Sequence, residues 1–373
     1  MKIVQLITNR DLRGAQVFAA QLADQLAGRG HNVKLVSLYG RLTTGNKVLA
    51  DKAETIELDG TKKVMSFSLV IKLRRLLREF SPDIVQANGS DTLKYAVLAS
   101  LLMTPKPRLI YRNISMAGSW VRGGFQKRLY RYFFGRIDHV VSLTQTTRDE
   151  FVSVYRYPEN KISTIPIGVE VPDQRDRQKA YEALVALTGA SHSDTVLLHI
   201  GSFTKEKNHE GLLRIFERIK AKIPSAILVM VGDGPLRSGL SQQIAKLKIA
   251  GAVFLPGSRT DVSDWIGGAA VFLLPSLIEG LPGVILEAMA WHVPVVAYKV
   301  GAISEIVEDS KNGYVVPVND ESSFAEKTIA LLENEPRRVA FGDEAYDKMK
   351  SAYTLDKISG EFERTYMTLT GRR

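Results

Sequence analysis

The chain has 373 residues, 45% of them hydrophobic and 24% charged, the make-up of an ordinary globular protein long enough for two domains with a core each. It holds no cysteine, which excludes disulfides and thiolate metal sites, and its six histidines are scattered without a metal-ligand spacing. The net charge of +10 is lopsided: residues 1–168 carry 26 Lys and Arg against 13 Asp and Glu, so a polyanion or an anionic membrane surface is the expected partner of that half.

The opening MKIVQLITNR is too short and too early-charged for a signal peptide, and no stretch reaches the roughly 18 apolar residues of a spanning helix. A cytoplasmic protein is expected, peripheral on the inner face of the membrane if it meets one. Lys2–Thr8 reads as a strand, Asn9–Gly14 as a loop and Ala15–Leu26 as a helix, the βα opening of a Rossmann-like domain. The loop lacks G-x-G-x-x-G, which argues against a dinucleotide. Asn32–Leu38 is a second strand. Val64–Phe80 reads as a helix with Phe67, Val70, Leu73 and Leu77 on its apolar face and Lys72, Arg74, Arg75 and Arg78 on a basic one. Strand and helix go on alternating through Asp83–Ala87, Thr92–Met103, Arg108–Tyr111, Val140–Leu143 and Thr147–Tyr155, which predicts a parallel sheet wrapped by helices. Ser119–Arg136 packs five basic residues, no acidic ones and six aromatics into one segment. It suits a bilayer interface, and equally a helix packed on the sheet by Phe125, Leu129, Tyr132 and Phe133 with its basic face in water. Basic residues with aromatics between them also suit single strands of nucleic acid, but nothing else in the chain supports that partner.

Pro172–Lys179 reads as the start of a linker region, and Val196–Gly201 opens a second domain with a buried strand and a glycine turn. Ala226–Gly232 and Val253–Gly257 are further strands; Asp233-Gly234-Pro235 is turn chemistry. The apolar run Ala269–Leu274 ends at Pro275-Ser276, and a loop with Gly280, Pro282 and Gly283 leads into a helix over Val284–Ala290. At such a junction free N–H groups and the positive end of a helix dipole face one point, which suits a phosphate. Glu279 and Glu287 stand eight residues apart around it, placed to accept hydrogen bonds from hydroxyls on either side. Leu355–Leu369 reads as a final helix.

Glu279-Gly280-Leu281-Pro282 followed by Glu287-Ala288-Met289-Ala290 resembles the E-x7-E signature of the retaining glycosyltransferases of family 4. Pro294–Ala297, Gly301, Glu305–Val307 and Asn312-Gly313 continue the pattern, and Gly201–Asn208 is similar to the family's Gly-Arg…Lys loop. The resemblance implies an α/β protein of GT-B fold, two Rossmann-like domains facing across a cleft. Residues 1–168 would bind the acceptor, with the helix at 355–371 packed back on them, and 169–354 would bind the nucleotide sugar. It implies transfer, with retention, from a UDP- or GDP-sugar to a glycan or lipid-linked glycan acceptor, as in cell-surface polysaccharide or lipopolysaccharide synthesis. Glu287 would then hold the ribose, Gly280, Leu281, Pro282 and Lys207 the diphosphate, and Glu279 the sugar hydroxyls. Glu279 and Lys207 would carry catalysis, Gly14, Ser202 and Arg259 would complete the donor site, and neither metal nor cofactor would be needed.

The departures from the family pattern are specific. Ser202 replaces an arginine, leaving Lys205 as a substitute cation, and Arg13 and Gln16 break the family's Gly-Gly-x-Glu. Two N-domain histidines are missing, and Asn88, Arg112 and Asn113 stand in those loops as candidate sugar or acceptor contacts, or as plain loop caps. Trp291-His292 stands where a small residue and glycine are usual. A GT-B nucleotide-sugar epimerase and a non-catalytic sugar-nucleotide or membrane-surface binding protein are the rival readings.

Overall fold

The computed structural model describes residues 1–11, 14–40, 48, 50–58, 66–114, 124–172, 176–189, 191, 195–259 and 261–372. Arg13, Val64, Ser119–Gly123 and part of Pro172–Lys179 therefore lie outside the described residues. The chain forms two compact units, Met1–Gly168 with Leu355–Arg373, and Val169–Thr354.

The first unit runs β1 (Lys2–Ile7), α1 (Gly14–Gly28), β2 (Asn32–Ser37), β3 (Glu54–Glu57), α2 (Phe67–Phe80), β4 (Ile84–Asn88), α3 (Ser90–Ser100), β5 (Arg108–Asn113), α4 (Gly124–Phe134), β6 (His139–Ser142), α5 (Gln145–Tyr155) and β7 (Ile162–Thr164). Its strands are parallel in the order β3-β2-β1-β4-β5-β6-β7. Helices cover both faces, which is why the central strands are unbroken apolar or buried runs rather than alternating ones. The order reverses between β1 and β4, the place where an open parallel sheet binds ligands beyond its strand ends. The helix Leu355–Thr370 packs against α1: Phe18 and Phe362 lie 5.9 Å apart, and Arg29 bonds Glu363 and Asp356 at 2.9 and 2.6 Å. Its Tyr366 reaches the sheet, donating to Gln86 Oε1 at 2.7 Å and accepting from Gln5 Nε2 at 3.0 Å.

Val70, Leu73 and Leu77 on α2 and Phe133 on α4 pack on the core as expected, and other residues of each face do not. On α2 the buried residues are Leu69, Leu73, Leu77 and Phe80, while Phe67 is 78% and Ile71 66% exposed. The spacing of four, four and three selects the sheet-facing stripe, and Phe67 stands off it. On α4 Tyr130, Phe133 and Phe134 face the sheet with Ile137, so Leu129 and Tyr132 turn outward beside Arg128 and Arg131. Among the described residues no helix is long and apolar enough to cross a membrane.

The second unit runs α6 (Arg177–Thr188), β8 (Thr195–Ile200), α7 (His209–Lys222), β9 (Ala226–Val231), α8 (Arg237–Lys246), β10 (Val253–Gly257), α9 (Ser263–Ile266), β11 (Val271–Leu274), α10 (Gly283–Ala290), β12 (Val295–Tyr298), α11 (Ile303–Ile306), β13 (Gly313–Val316), α12 (Glu321–Leu332) and α13 (Glu335–Ala352). Its parallel order is β10-β9-β8-β11-β12-β13, with the reversal between β8 and β11. The supposed linker is structured where it is described. Arg177 opens α6, and its guanidinium donates to the carbonyls of Gly267 and Ala269 at 3.0 and 3.2 Å, which ties that helix to the unit.

Candidate active site

The reversal between β8 and β11 brings together two loops that the sequence places some seventy residues apart. The first, Gly201–Asn208, follows β8; the second, Pro275–Pro282, follows β11 and runs into α10. Asn208 Nδ2 donates to Pro275 O at 3.1 Å, and Leu277 N donates to Glu206 O at 2.8 Å, so one side-chain and one backbone donor stitch the loops together. Across them Lys207 Nζ meets Glu279 Oε1 at 2.7 Å, with the Glu279 side chain only 8% exposed. Gly301 backs the second loop: a Cβ there would lie 2.2 Å from Glu279 O, and Ala302 N donates to Gly280 O at 3.0 Å. Leu281 is buried, Pro282 is the N-cap of α10, and no side chain caps that helix. The first N–H groups of α10 are thus left for a ligand.

Glu287 sits in the second turn of α10. It is partly buried, makes no hydrogen bond or ion pair among the described residues, and burial pushes its carboxyl up to about 7. An unpartnered, partly buried carboxyl group is an acceptor waiting for donors. Ser202 and Lys205 are both exposed at the first loop. Arg259 bonds Asp261 at 2.7 and 3.0 Å and lies 5.0 Å from the Trp265 ring centre. Among the described residues no three His, Asp or Glu side chains are grouped to hold a metal ion.

Sequence reasoning missed the support beneath Lys207. His199, on β8, bonds Leu273 O through Nδ1 at 2.8 Å, and its Nε2 lies 3.2 Å from His209 Nε2 at the start of α7. A carbonyl can only accept, so His199 carries its proton on Nδ1 and its Nε2 accepts from His209. Burial holds both imidazoles neutral, His209 at about 4 and His199 well below its usual range. The pair braces the first loop from below, and nothing in the spacing of the two histidines announces it. His292, by contrast, stacks on Tyr346 at 4.2 Å and bonds Asp343.

In the first unit Gly14 opens α1, and among the described residues nothing lies within 4 Å of where a Cβ would stand. Asn88 and Asn113, the candidate sugar contacts or loop caps, are both buried and bonded within the first unit. Asn88 donates to Gln5 Oε1 and Leu6 O, and Asn113 to Ser142 Oγ and Thr147 O, so both amides serve the fold's interior. Arg112 is fully buried as well.

Comparison with known proteins places these features in one group. The family model described as Glycosyltransferase Family 4 matches residues 12–172, and that of Glycosyl transferases group 1 matches residues 184–348. The N-acetyl-alpha-D-glucosaminyl L-malate synthase of Bacillus anthracis is 31% identical over 366 residues, spanning 95% of this chain and 93% of that protein. A Campylobacter jejuni enzyme named as a 4-alpha-N-acetylgalactosaminyltransferase acting on a diphospho-undecaprenol-linked sugar is 24% identical over 78% of this chain and 77% of its own. The crystal structure of Anabaena Alr3699/HepE in complex with UDP-glucose superposes with a TM-score of 0.85 at 19% identity, covering 99% of this chain and 100% of that one.

Proposed function

Because this chain belongs to glycosyltransferase family 4, we propose that it moves a sugar from a UDP- or GDP-sugar to an acceptor hydroxyl with retention of anomeric configuration. Its two parallel sheets have the GT-B fold. The reading is carried by the 2.7 Å contact of Lys207 with Glu279 on the loop that enters the uncapped N-terminus of α10. A lysine, free backbone N–H groups and a helix dipole suit a diphosphate, while two flanking carboxylates suit hydroxyls and repel phosphate. On donor entry Lys207 turns from Glu279 to the diphosphate, and Glu279 is released to accept from the sugar. Glu287 takes the ribose diol, and Gly280 to Pro282 lie along the diphosphate with Ser202; Arg259 stands toward the base. The bond from the anomeric carbon to the phosphate oxygen breaks with its electron pair on the diphosphate. The acceptor hydroxyl attacks from the same face, and its proton passes to the departing phosphate oxygen.

The charge of the leaving diphosphate is met by Lys207 and the α10 dipole, so no metal is required. Incubation with UDP- and GDP-sugars is expected to release nucleoside diphosphate only when acceptor is present, at a rate unchanged by EDTA. Loss of activity in EDTA that Mg²⁺ or Mn²⁺ restores would show a cation doing the work assigned to Lys207. Release of free sugar without acceptor would favour an epimerase, and binding without turnover a non-catalytic protein.

The acceptor proposed for the first unit is a glycan or lipid-linked glycan presented at the anionic inner face of the membrane. In support, α4 turns Leu129, Tyr132, Arg128 and Arg131 outward, and α2 exposes Phe67 and Ile71 beside Arg75 and Arg78. Each such cation is worth about 1 kcal/mol near an anionic surface, and the apolar side chains add a part that salt does not screen. Sedimentation with phosphatidylserine vesicles is expected to fall, but not vanish, as salt rises, and to weaken when Lys127, Arg128 and Arg131 are replaced by Ser. A protein that stays in the supernatant at low salt has a soluble acceptor instead.

A further inference from the structure

One guanidinium in the first unit is buried with nothing to bond to among the described residues. Arg112 is 0% exposed, and none of its three side-chain nitrogens has a hydrogen-bond partner there. The phenol of Tyr366 is close enough to act on its charge. The polar groups nearby do not turn toward it: Gln5, Gln86, Asn88 and Tyr366 bond one another instead. A buried cation without an acceptor is among the costlier things a fold can keep, and burial pulls this arginine down to about 9.

Its place in the sheet is that of a ligand site. Arg112 lies near the C-terminal end of β5, level with Asn88 on β4, one strand from the reversal of strand order. Its guanidinium carbon is 4.1 Å from the ring centre of Phe18. A helical side chain leans over the turn that precedes it, so a group packed on Phe18 stands beside the first turn of α1. There the initial N–H groups have no intrahelical acceptor, and among the described residues nothing stands within 4 Å of a Cβ placed on Gly14.

We propose that Arg112 and the first turn of α1 bind an oxyanion, a carboxylate or phosphate ester, carried by a substrate of this enzyme. The inference rests on the transferase reading and adds that one of the two substrates is acidic at the end the first unit receives. The planar fork of a guanidinium takes such a group in two parallel hydrogen bonds, and the helix dipole favours the same charge. A sugar bearing only hydroxyls would leave the guanidinium charge uncompensated.

The test is thermal unfolding of the whole protein with malonate, with inorganic phosphate, and with sodium chloride at equal ionic strength, in the wild type, Arg112→Met and Arg112→Lys. UDP and GDP are run in parallel to report on the second unit. Malonate or phosphate is expected to raise the wild-type Tm by about 2–4 °C at ten times its Kd, saturably. Arg112→Met should lose that rise, keep the nucleotide response, and unfold no lower than the wild type, since an uncompensated charge has been removed. Arg112→Lys, which keeps the charge but not the fork, should respond less to malonate. Which anion acts tells a carboxylate from a phosphate ester. The proposal is overturned if neither anion shifts a wild type that still responds to nucleotide, or if the shift is the same in all three proteins. A wild type that responds to anions but to no nucleotide would sink the transferase reading and leave the anion site standing.

Discussion

Replacing Lys207 by alanine is expected to lower kcat by about 10²–10³-fold, the usual loss when one preorganised donor to a developing charge is removed. The fall should exceed the change in nucleoside diphosphate affinity, because the negative charge on the diphosphate is largest as the glycosidic bond breaks. The apo structure gives a second reason. Lys207 is the partner of Glu279, whose carboxylate is 8% exposed, so its removal also leaves that carboxylate unpaired in a poorly solvated loop. The double variant Lys207→Ala/Glu279→Gln should therefore unfold at a higher temperature than Lys207→Ala alone, with no recovery of turnover. A kcat within threefold of the wild type for Lys207→Ala would place the charge stabilisation elsewhere.

For Glu287 binding and stability are expected to move in opposite directions. Glu287→Ala should weaken donor binding by about 10–150-fold in calorimetry, as a ribose diol loses a charged acceptor worth roughly 1.5–3 kcal/mol. Unchanged nucleoside diphosphate affinity would reject the assignment. The stability effect follows from the raised carboxyl of the folded protein. Between about 4.5 and about 7 the folded state holds a proton that the unfolded chain has released, so stability declines as pH rises through that window. The loss by pH 8 is about 1–3 kcal/mol, taking the partial exposure of the side chain into account. Glu287→Gln escapes it. Its Tm should exceed that of the wild type at pH 8 and approach it at pH 5; equal stability at both pH values would mean that the carboxylate is well solvated after all.

These sites were not equally legible in the sequence. The strand–loop–helix carrying Glu279 and Glu287 is a local feature, fixed by an apolar run, three turn-forming residues and a short helix, and so it can be read from adjacent residues. The β8 and β11 strands were legible for the same reason, since burial on both faces makes them continuous apolar stretches. The half-buried edge strand Glu54–Glu57 offers no such run. Val70, Leu73, Leu77 and Phe133 pack on the core as expected, but Phe67, Leu129 and Tyr132 were misjudged because apolar residues on each helix exceed what the sheet can cover, and only packing decides which ones remain in water. The His199–His209 brace and the isolation of Arg112 are properties of three dimensions. Each depends on which side chains stand within bonding distance across elements, and no spacing along the chain encodes the absence of a partner.

The C-terminal helix has a consequence for how the protein is made. Residues 1–168 leave the ribosome before Leu355–Thr370, the helix that completes their unit. At about 5–20 residues per second, roughly 10–40 s pass between the two, during which the first unit lacks that helix. Through that interval Phe18 lacks Phe362, Arg29 lacks its two carboxylates, and the Gln5 and Gln86 amides lack the Tyr366 hydroxyl that joins them. The basic half of the chain thus spends its early life without the helix that packs on α1, and a premature stop near residue 355 damages the part of the enzyme that was made first.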